Sequence, residues 1–217
     1  MSEISDARLD AAAALRDLAN AFVAHDVDDA TLARIEASAR TVLPEVARGA
    51  RRERVPPEFG EIAAGMPPAD AARRHAMADR AVAGPANPTA VEITSTRDGT
   101  DVVASVRFGK AFEGAPGRVH GGIVGAVFDD VTGYVLAFGG KPGFTGRLTV
   151  TYRAPVPIET TIEFRARLRE ETGRKLTVDG EARLGEKVLA TADAMFVLVD
   201  PKHFATHAAE LLARDSD

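Results

Sequence analysis

One apolar stripe of helical period stands between two sets of period-two runs, and that order restricts the fold more than any other feature. Residues 121–138 read GGIVGAVFDDVTGYVLAF. At 100° per residue, Ile123, Val124, Val127, Phe128, Val131, Tyr134, Val135 and Phe138 fall on one broad stripe, which predicts a helix over about 121–138. Before it, AVEITSTRDGTDVVASVRF is β-rich on both sides of Asp98-Gly99, a hairpin dipeptide. After it, TGRLTVTYRAPVP alternates Leu148, Val150 and Tyr152 with Thr149, Thr151 and Arg153. TTIEFRARL repeats the alternation, and GRKLTVDGEARL and KVLATADAMFVLV follow, with turns at Gly173 and Gly185. Two strands, one long helix and four strands imply an α+β layer: about six antiparallel strands wrapped around a single central helix.

The first part of the chain has a different character. Leu15, Leu18 and Phe22 share one helical face, and Leu32, Ile35, Ala39, Val42 and Val46 share another. Asp26, Asp28 and Asp29 supply N-cap candidates for the second helix, and Pro44 is expected to end or kink it. RRER at 51–54 reads as a solvated helix end, with a phosphate contact as the weaker alternative. VPPEFGEIAAGMPP is a proline-punctuated connector, ADAARRHAMADRAVAG a further short helix and GPANP a second connector. The apolar faces of this extension must cover something, either the outer sheet or the acyl pocket argued for below.

Composition excludes several classes of function. The 217-residue chain has no cysteine, which removes disulfides, thiolate metal sites and a cysteine nucleophile. A net charge of -5 argues against general nucleic-acid binding. The acidic start, MSEISDARLD, lacks the basic and apolar regions of a secretory signal. No stretch reads as approaching the ~18 consecutive apolar residues of a membrane span. A soluble cytoplasmic protein with no membrane span, no metal and no cofactor is expected.

The side of the central helix away from the stripe carries the chemistry. Gly125, Asp129 and Gly133 lie there, flanked by Ala126 and Ala137, so Asp129 sits where another backbone or a ligand can approach closely. Asp130 lies nearer the stripe's edge and reads as structural. His120-Gly121-Gly122 at the helix start leaves backbone N–H groups uncovered, backed by the positive end of the helix dipole. Such donors polarise a carbonyl and stabilise an oxyanion. A carboxylate is ionised at neutral pH and serves as base or nucleophile. Together these are acyl-transfer groups, and a thioester suits them because a thiolate, with a thiol pKa of about 8.5, leaves readily. Each feature also has a structural reading: a satisfied structural histidine, a tight glycine turn, an aspartate paired with arginine.

VHGGIVGAVFDD followed by TGRLTVTYRAPVPIETTIEFRARLREETGRK resembles the hot-dog-fold acyl-CoA thioesterases of the phenylacetyl-CoA thioesterase-like superfamily. Within it, the likeness is to the branch that includes the human long-chain thioesterase superfamily members. The resemblance covers roughly residues 84–199. It implies a hot-dog domain over 84–200, preceded by a helical extension at 1–83 and followed by a tail at 201–217. It further implies a homodimer, or a dimer of such dimers, with acyl-CoA sites at the interface between subunits. In each site the Gly121 N–H would hold the thioester carbonyl, His120 would brace the turn, and Asp129 would act as general base or nucleophile. Thr145 would assist Asp129 in holding water. Gly122 and Gly146 would contact substrate, as would Arg174 and Lys175 near the coenzyme A phosphates, although these two also read as plain hairpin-turn charges. Some relatives carry an asparagine shortly before the histidine; FEGAPGRVHGG has none, which implies reduced or narrow activity.

Two other functions compete. A non-catalytic acyl-CoA-binding or partner-binding hot-dog module would use the same pocket without turnover, with Leu15, Leu18 and Phe22 as a partner face. A hydratase or dehydratase needs histidine and carboxylate acting jointly on substrate carbons, and a histidine in a glycine turn is better placed for bracing.

Overall fold

The computed structural model describes residues 4–51 and 78–200. Two helices come first, α1 (Asp6–Ala24) and α2 (Asp29–Ala47). Strands β1 (Glu92–Asp98) and β2 (Asp101–Arg107) form a hairpin, and a 3-10 turn (Lys110–Phe112) leads towards α3 (Gly121–Phe138). Strands β3 (Gly143–Tyr152), β4 (Thr161–Thr172), β5 (Lys175–Leu184) and β6 (Lys187–Leu198) complete the chain. The six strands form one sheet in the order β1-β2-β4-β5-β6-β3, antiparallel throughout. Its concave face holds α3, which makes this the hot-dog fold expected from the strand–helix order.

Local chemistry explains the turns. Gly99, Gly173 and Gly185 each adopt positive φ at a hairpin, the region open to glycine without steric cost. The core is the inner side of the strands closed by the helix. Val124, Val127, Phe128, Val131 and Val135 of α3 are buried against Val106, Ile162, Phe164, Val178 and Phe196. Phe128 and Phe164 meet edge-on at 5.0 Å between ring centroids. The buried stripe is rotated slightly from the sequence expectation. Thr132 and Leu136 are buried, while Ile123, Tyr134 and Phe138 are only partly so. Thr132 tolerates burial because its hydroxyl donates to the Phe128 carbonyl at 2.7 Å.

Gly180 faces the helix where there is no room for a side chain. A Cβ there would lie 2.9 Å from Phe128 Cδ1 and 3.2 Å from Ala192 Cβ. Gly180→Ala should therefore destabilise the domain by about 1–3 kcal/mol through overpacking. The midpoint of urea unfolding would register it, and an unchanged midpoint would show that Phe128 can move aside.

By length and composition α3 could cross a bilayer, although Asp129 and Asp130 interrupt its apolar run. Its hydropathy comes from the stripe that packs into the sheet. Pro44 lies inside α2, which ends three residues later at Ala47. Asp28 is the N-cap, accepting the Thr31 N–H at 2.7 Å. The short helix expected around 69–84 lies mostly outside the described residues, as does most of RRER, and residues 78–84 form turns.

The outer sheet face is lined with ion pairs, and among the described residues the extension is attached elsewhere. Arg147 meets Asp193 at 3.0 Å, Arg169 meets Asp179 at 2.6 Å and Arg167 meets Asp101 at 3.0 Å. Hydrogen bonds from Arg167, then Arg165, hold the Asp101 carboxyl below the usual carboxylate range against the effect of its burial. On α1 of the extension, Arg16 donates to the carbonyls of Pro85 and Asn87, and Asn20 Oδ1 accepts the Ala111 N–H in the 3-10 turn. Ile4 and Leu9 form a small cluster with Ala78 and Ala86. The apolar residues Leu15, Leu18 and Phe22 face outward.

Candidate active site

His120 begins α3 in an extended conformation, φ -60 and ψ 130, so its side chain folds back over the first turn. Nδ1 accepts the Gly122 N–H at 3.1 Å. The structure thus corrects the expectation that both glycine N–H groups are uncovered: a histidine at the N-cap position satisfies the second of them. The Gly121 N–H has no acceptor among the described residues and stays available at the positive end of the helix. The next two N–H groups, of Ile123 and Val124, turn back to the His120 carbonyl.

Tyr152 reads from the sequence only as one of the alternating residues of a strand, and the structure gives it a place in the site. Its hydroxyl donates to the Gly121 carbonyl at 2.6 Å. A Cβ on Gly121 would sit 3.2 Å from that hydroxyl, so the close approach depends on glycine. Partial burial pushes the Tyr152 phenol above its ordinary range. The available signal is a tyrosine at the last inward position of β3, opposite buried Ala190, with a polar tip in need of a partner.

Asp129 is exposed on the small-residue side of α3, as the helical wheel places it. Thr145 Oγ1 donates to Asp129 Oδ1 at 2.8 Å. A register shift between Thr145 and Arg147 opens a bulge, with Gly146 as the extra residue. The bulge leaves Thr145 paired with buried Phe196, on the helix side of the sheet, while Gly146 backs onto Met195 and Val197. A side chain at Gly133, one turn beyond Asp129, would meet nothing within 4 Å.

Asp130 points another way. Burial raises its carboxyl above the usual carboxylate range, with Arg80 and the Ala83 N–H opposing the rise and Asp129 adding to it. Arg80 also hydrogen-bonds to the Tyr134 hydroxyl. Asp130 therefore ties α3 to residues 78–84, in keeping with the structural reading of it.

The remaining candidates lie apart from these groups. Arg174 donates to the Leu198 carbonyl at 3.2 Å and lines an open recess with Gly173, Val199 and Asp200. Lys175 pairs with Val197, which in turn pairs with Phe144, one residue before Thr145. That places it two strands, about 10 Å, from the start of β3. Its side chain takes the outer-face register, opposite to inward Leu176. Among the described residues no three His, Asp or Glu side chains converge as metal ligands would.

One separation governs the chemistry. Gly121 and Asp129 are eight positions apart on one straight helix, about 12 Å along its axis. A carbonyl held at the Gly121 N–H and a water held at Asp129 must each lie within about 3 Å of one reacting carbon. A single protomer presents both groups without bringing them together.

Residues 116–191 match the family model described as the thioesterase superfamily. The mouse acyl-coenzyme A thioesterase THEM4 is 34% identical over 96 residues, 43% of this chain and 41% of that protein. The rat protein of the same description is 32% identical over 102 residues, 46% of this chain and 44% of its own. The chain thus spans less than half the length of these curated relatives. The crystal structure of a thioesterase superfamily protein superposes with a TM-score of 0.73 at 27% identity, covering 90% of this chain and 97% of that one.

Proposed function

From a chain whose residues 116–191 match the thioesterase superfamily, we propose that the protein hydrolyses acyl-CoA thioesters at sites shared between two copies of itself. The observation that carries this reading is the pairing of a water-positioning carboxylate, Asp129 with Thr145, with an unengaged N–H at Gly121, eight positions away. Two antiparallel copies of α3 crossing at Gly125 put residue 129 of one opposite residue 121 of the other, because 125 is their midpoint. The helices can approach closely there. A Cβ added at Gly125 would have only Val150 Cγ2 near it, at 3.9 Å, and one at Gly133 would have nothing. Among the described residues strand β3 is at the sheet edge beside this face, where a second β3 can extend the ladder. The names of the mouse and rat relatives supply the substrate class, acyl-coenzyme A.

In this reading the thioester oxygen sits at the Gly121 N–H, polarised by the helix start. Asp129 takes a proton from a water also held by Thr145, and the water oxygen bonds to the carbonyl carbon. The negative charge passes to the oxyanion at Gly121 and then into the departing sulfur as the C–S bond breaks. Tyr152 and His120 hold the turn that aims the N–H. Asp129 acting directly as a nucleophile uses the same groups, with an anhydride formed first. Arg174 and Lys175 serve the coenzyme A phosphates from the sheet end.

A panel of short, long and aromatic acyl-CoAs, followed by thiol release, tests the proposal. Turnover of at least one class at about 1 s⁻¹ or faster is expected, within the ordinary range for enzymes. Saturable binding of the panel with no thiol release from any member would replace hydrolysis with the non-catalytic binding reading.

A further inference from the structure

We infer that α2 is an arm that packs on a second copy of this chain, laying its apolar side over that copy's acyl site beside Asp129 and Thr145. The inference deepens the two-copy reading above and rests on it. Helix α2 is 19 residues long and none of its residues is buried. Leu32, Ile35, Val42, Leu43 and Val46 line one side, with Leu43 67% and Val46 70% exposed. Its sequence, with three β-branched apolar residues, two threonines and an internal proline, is not that of a strong autonomous helix. Helices in proteins draw most of their stability from packing an apolar face, and within the described residues α2 has no such packing.

The place from which the arm leaves decides its occupant. Asn20, near the end of α1, is pinned to Ala111 in the 3-10 turn. The next residue, Phe112, accepts the His120 N–H on its carbonyl at 2.9 Å. Gly109 leaves the space that Asn20 fills, since a Cβ there would lie 2.1 Å from the Asn20 side chain. Helix α1 is thus fixed to the 3-10 turn that in turn holds the start of α3, and only residues 25–28 separate it from α2. In the antiparallel pairing, the start of α3 is where the second copy's Asp129 comes. An arm of about 28 Å rooted there exceeds twice the 12 Å between Gly121 and Asp129, so it is long enough to span that copy's site. The surface it meets has the complementary character: Phe144, half exposed next to Thr145, and the open space over Gly133. A two-fold makes the exchange reciprocal, each copy covering the other's site.

The absence of cysteine allows one position on the arm to be labelled alone. Leu43→Cys in the full chain, at an exposed position, would be coupled to benzophenone maleimide and irradiated after co-refolding equal amounts of ¹⁵N-labelled and unlabelled protein. Covalent dimers are expected, with cross-linked peptides joining heavy and light chains and mapping to residues 133–146. Separately, Val42→Ser/Leu43→Ser/Val46→Ser should raise KM for long acyl-CoAs by roughly tenfold or more through lost apolar contact, with KM for acetyl-CoA little changed. Cross-links confined to single chains, or mapping elsewhere, in a protein that light scattering reports as an active dimer would overturn the arm and leave the shared site standing. A fully active monomer would remove the shared site and the arm with it.

Discussion

Asp129→Asn should lower kcat by about 10²- to 10⁴-fold, the loss typical of a general base, while acyl-CoA still binds. The substitution keeps shape and can still accept from Thr145, whose hydroxyl lies 2.8 Å from Oδ1. What it removes is the ability to take a proton from water or to attack the carbonyl. Binding should hold or tighten, because a negative charge beside a polyphosphate ligand is gone. Thr145→Ala should be milder, with loss of one hydrogen bond costing about 0.5–1.5 kcal/mol, or roughly a 2- to 13-fold change. Asp130→Asn supplies the internal control, since that carboxyl is turned into the Ala83 and Arg80 side of the helix. Its effect should fall on melting temperature more than on kcat. Stopped-flow binding and single-turnover thiol release separate the two parameters. Equal losses of kcat for Asp129→Asn and Asp130→Asn would mean a general helix defect, and full activity in Asp129→Asn would leave the binding-module reading ahead.

Much of the fold was legible because period and punctuation agreed. The stripe from Ile123 to Phe138 could belong only to a helix, and the glycines at 99, 173 and 185 marked each hairpin where φ turns positive. Asp129 was legible on the small-residue side of a helix, whereas Thr145 was singled out only by the family resemblance. Their 2.8 Å hydrogen bond depends on the Gly146 bulge, which alternation alone does not reveal. The reach of Tyr152 to the Gly121 carbonyl, across 31 positions, needs strand register and helix placement together. The His120 ring on the Gly122 N–H needed a side-chain rotamer, where the sequence offered only a histidine before two glycines. The extension was legible as two amphipathic helices, but amphipathicity says that a face must be covered and not by what. Among the described residues the outer sheet face carries ion pairs, and neither α1 nor α2 covers it.

Two inactive variants should restore each other when mixed. Gly121→Pro deletes the N–H proposed to hold the thioester oxygen while leaving the helix a favourable start. Position 121 is the first residue of α3, where proline is tolerated and its missing N–H costs no helical bond. His120, with φ -60 and ψ 130, already has the extended backbone that a following proline requires. The ring must fit beside the Tyr152 hydroxyl, 3.2 Å from a Cβ at this site, so circular dichroism and melting temperature accompany the assay. Loss of one oxyanion donor should reduce kcat by about 10²- to 10³-fold. When Gly121→Pro and Asp129→Asn chains are unfolded, mixed equally and refolded together, about half of the dimers contain one of each. In such a dimer one site combines both defects, but the other joins the intact Asp129 of the proline chain to the intact Gly121 of the asparagine chain. Activity should then return to about a quarter of wild type, one working site in half of the dimers. If Gly121 and Asp129 served one site within a single chain, every site would carry a defect and mixing would restore nothing. The outcomes differ by more than tenfold, because neither parent should retain more than about a hundredth of wild-type turnover.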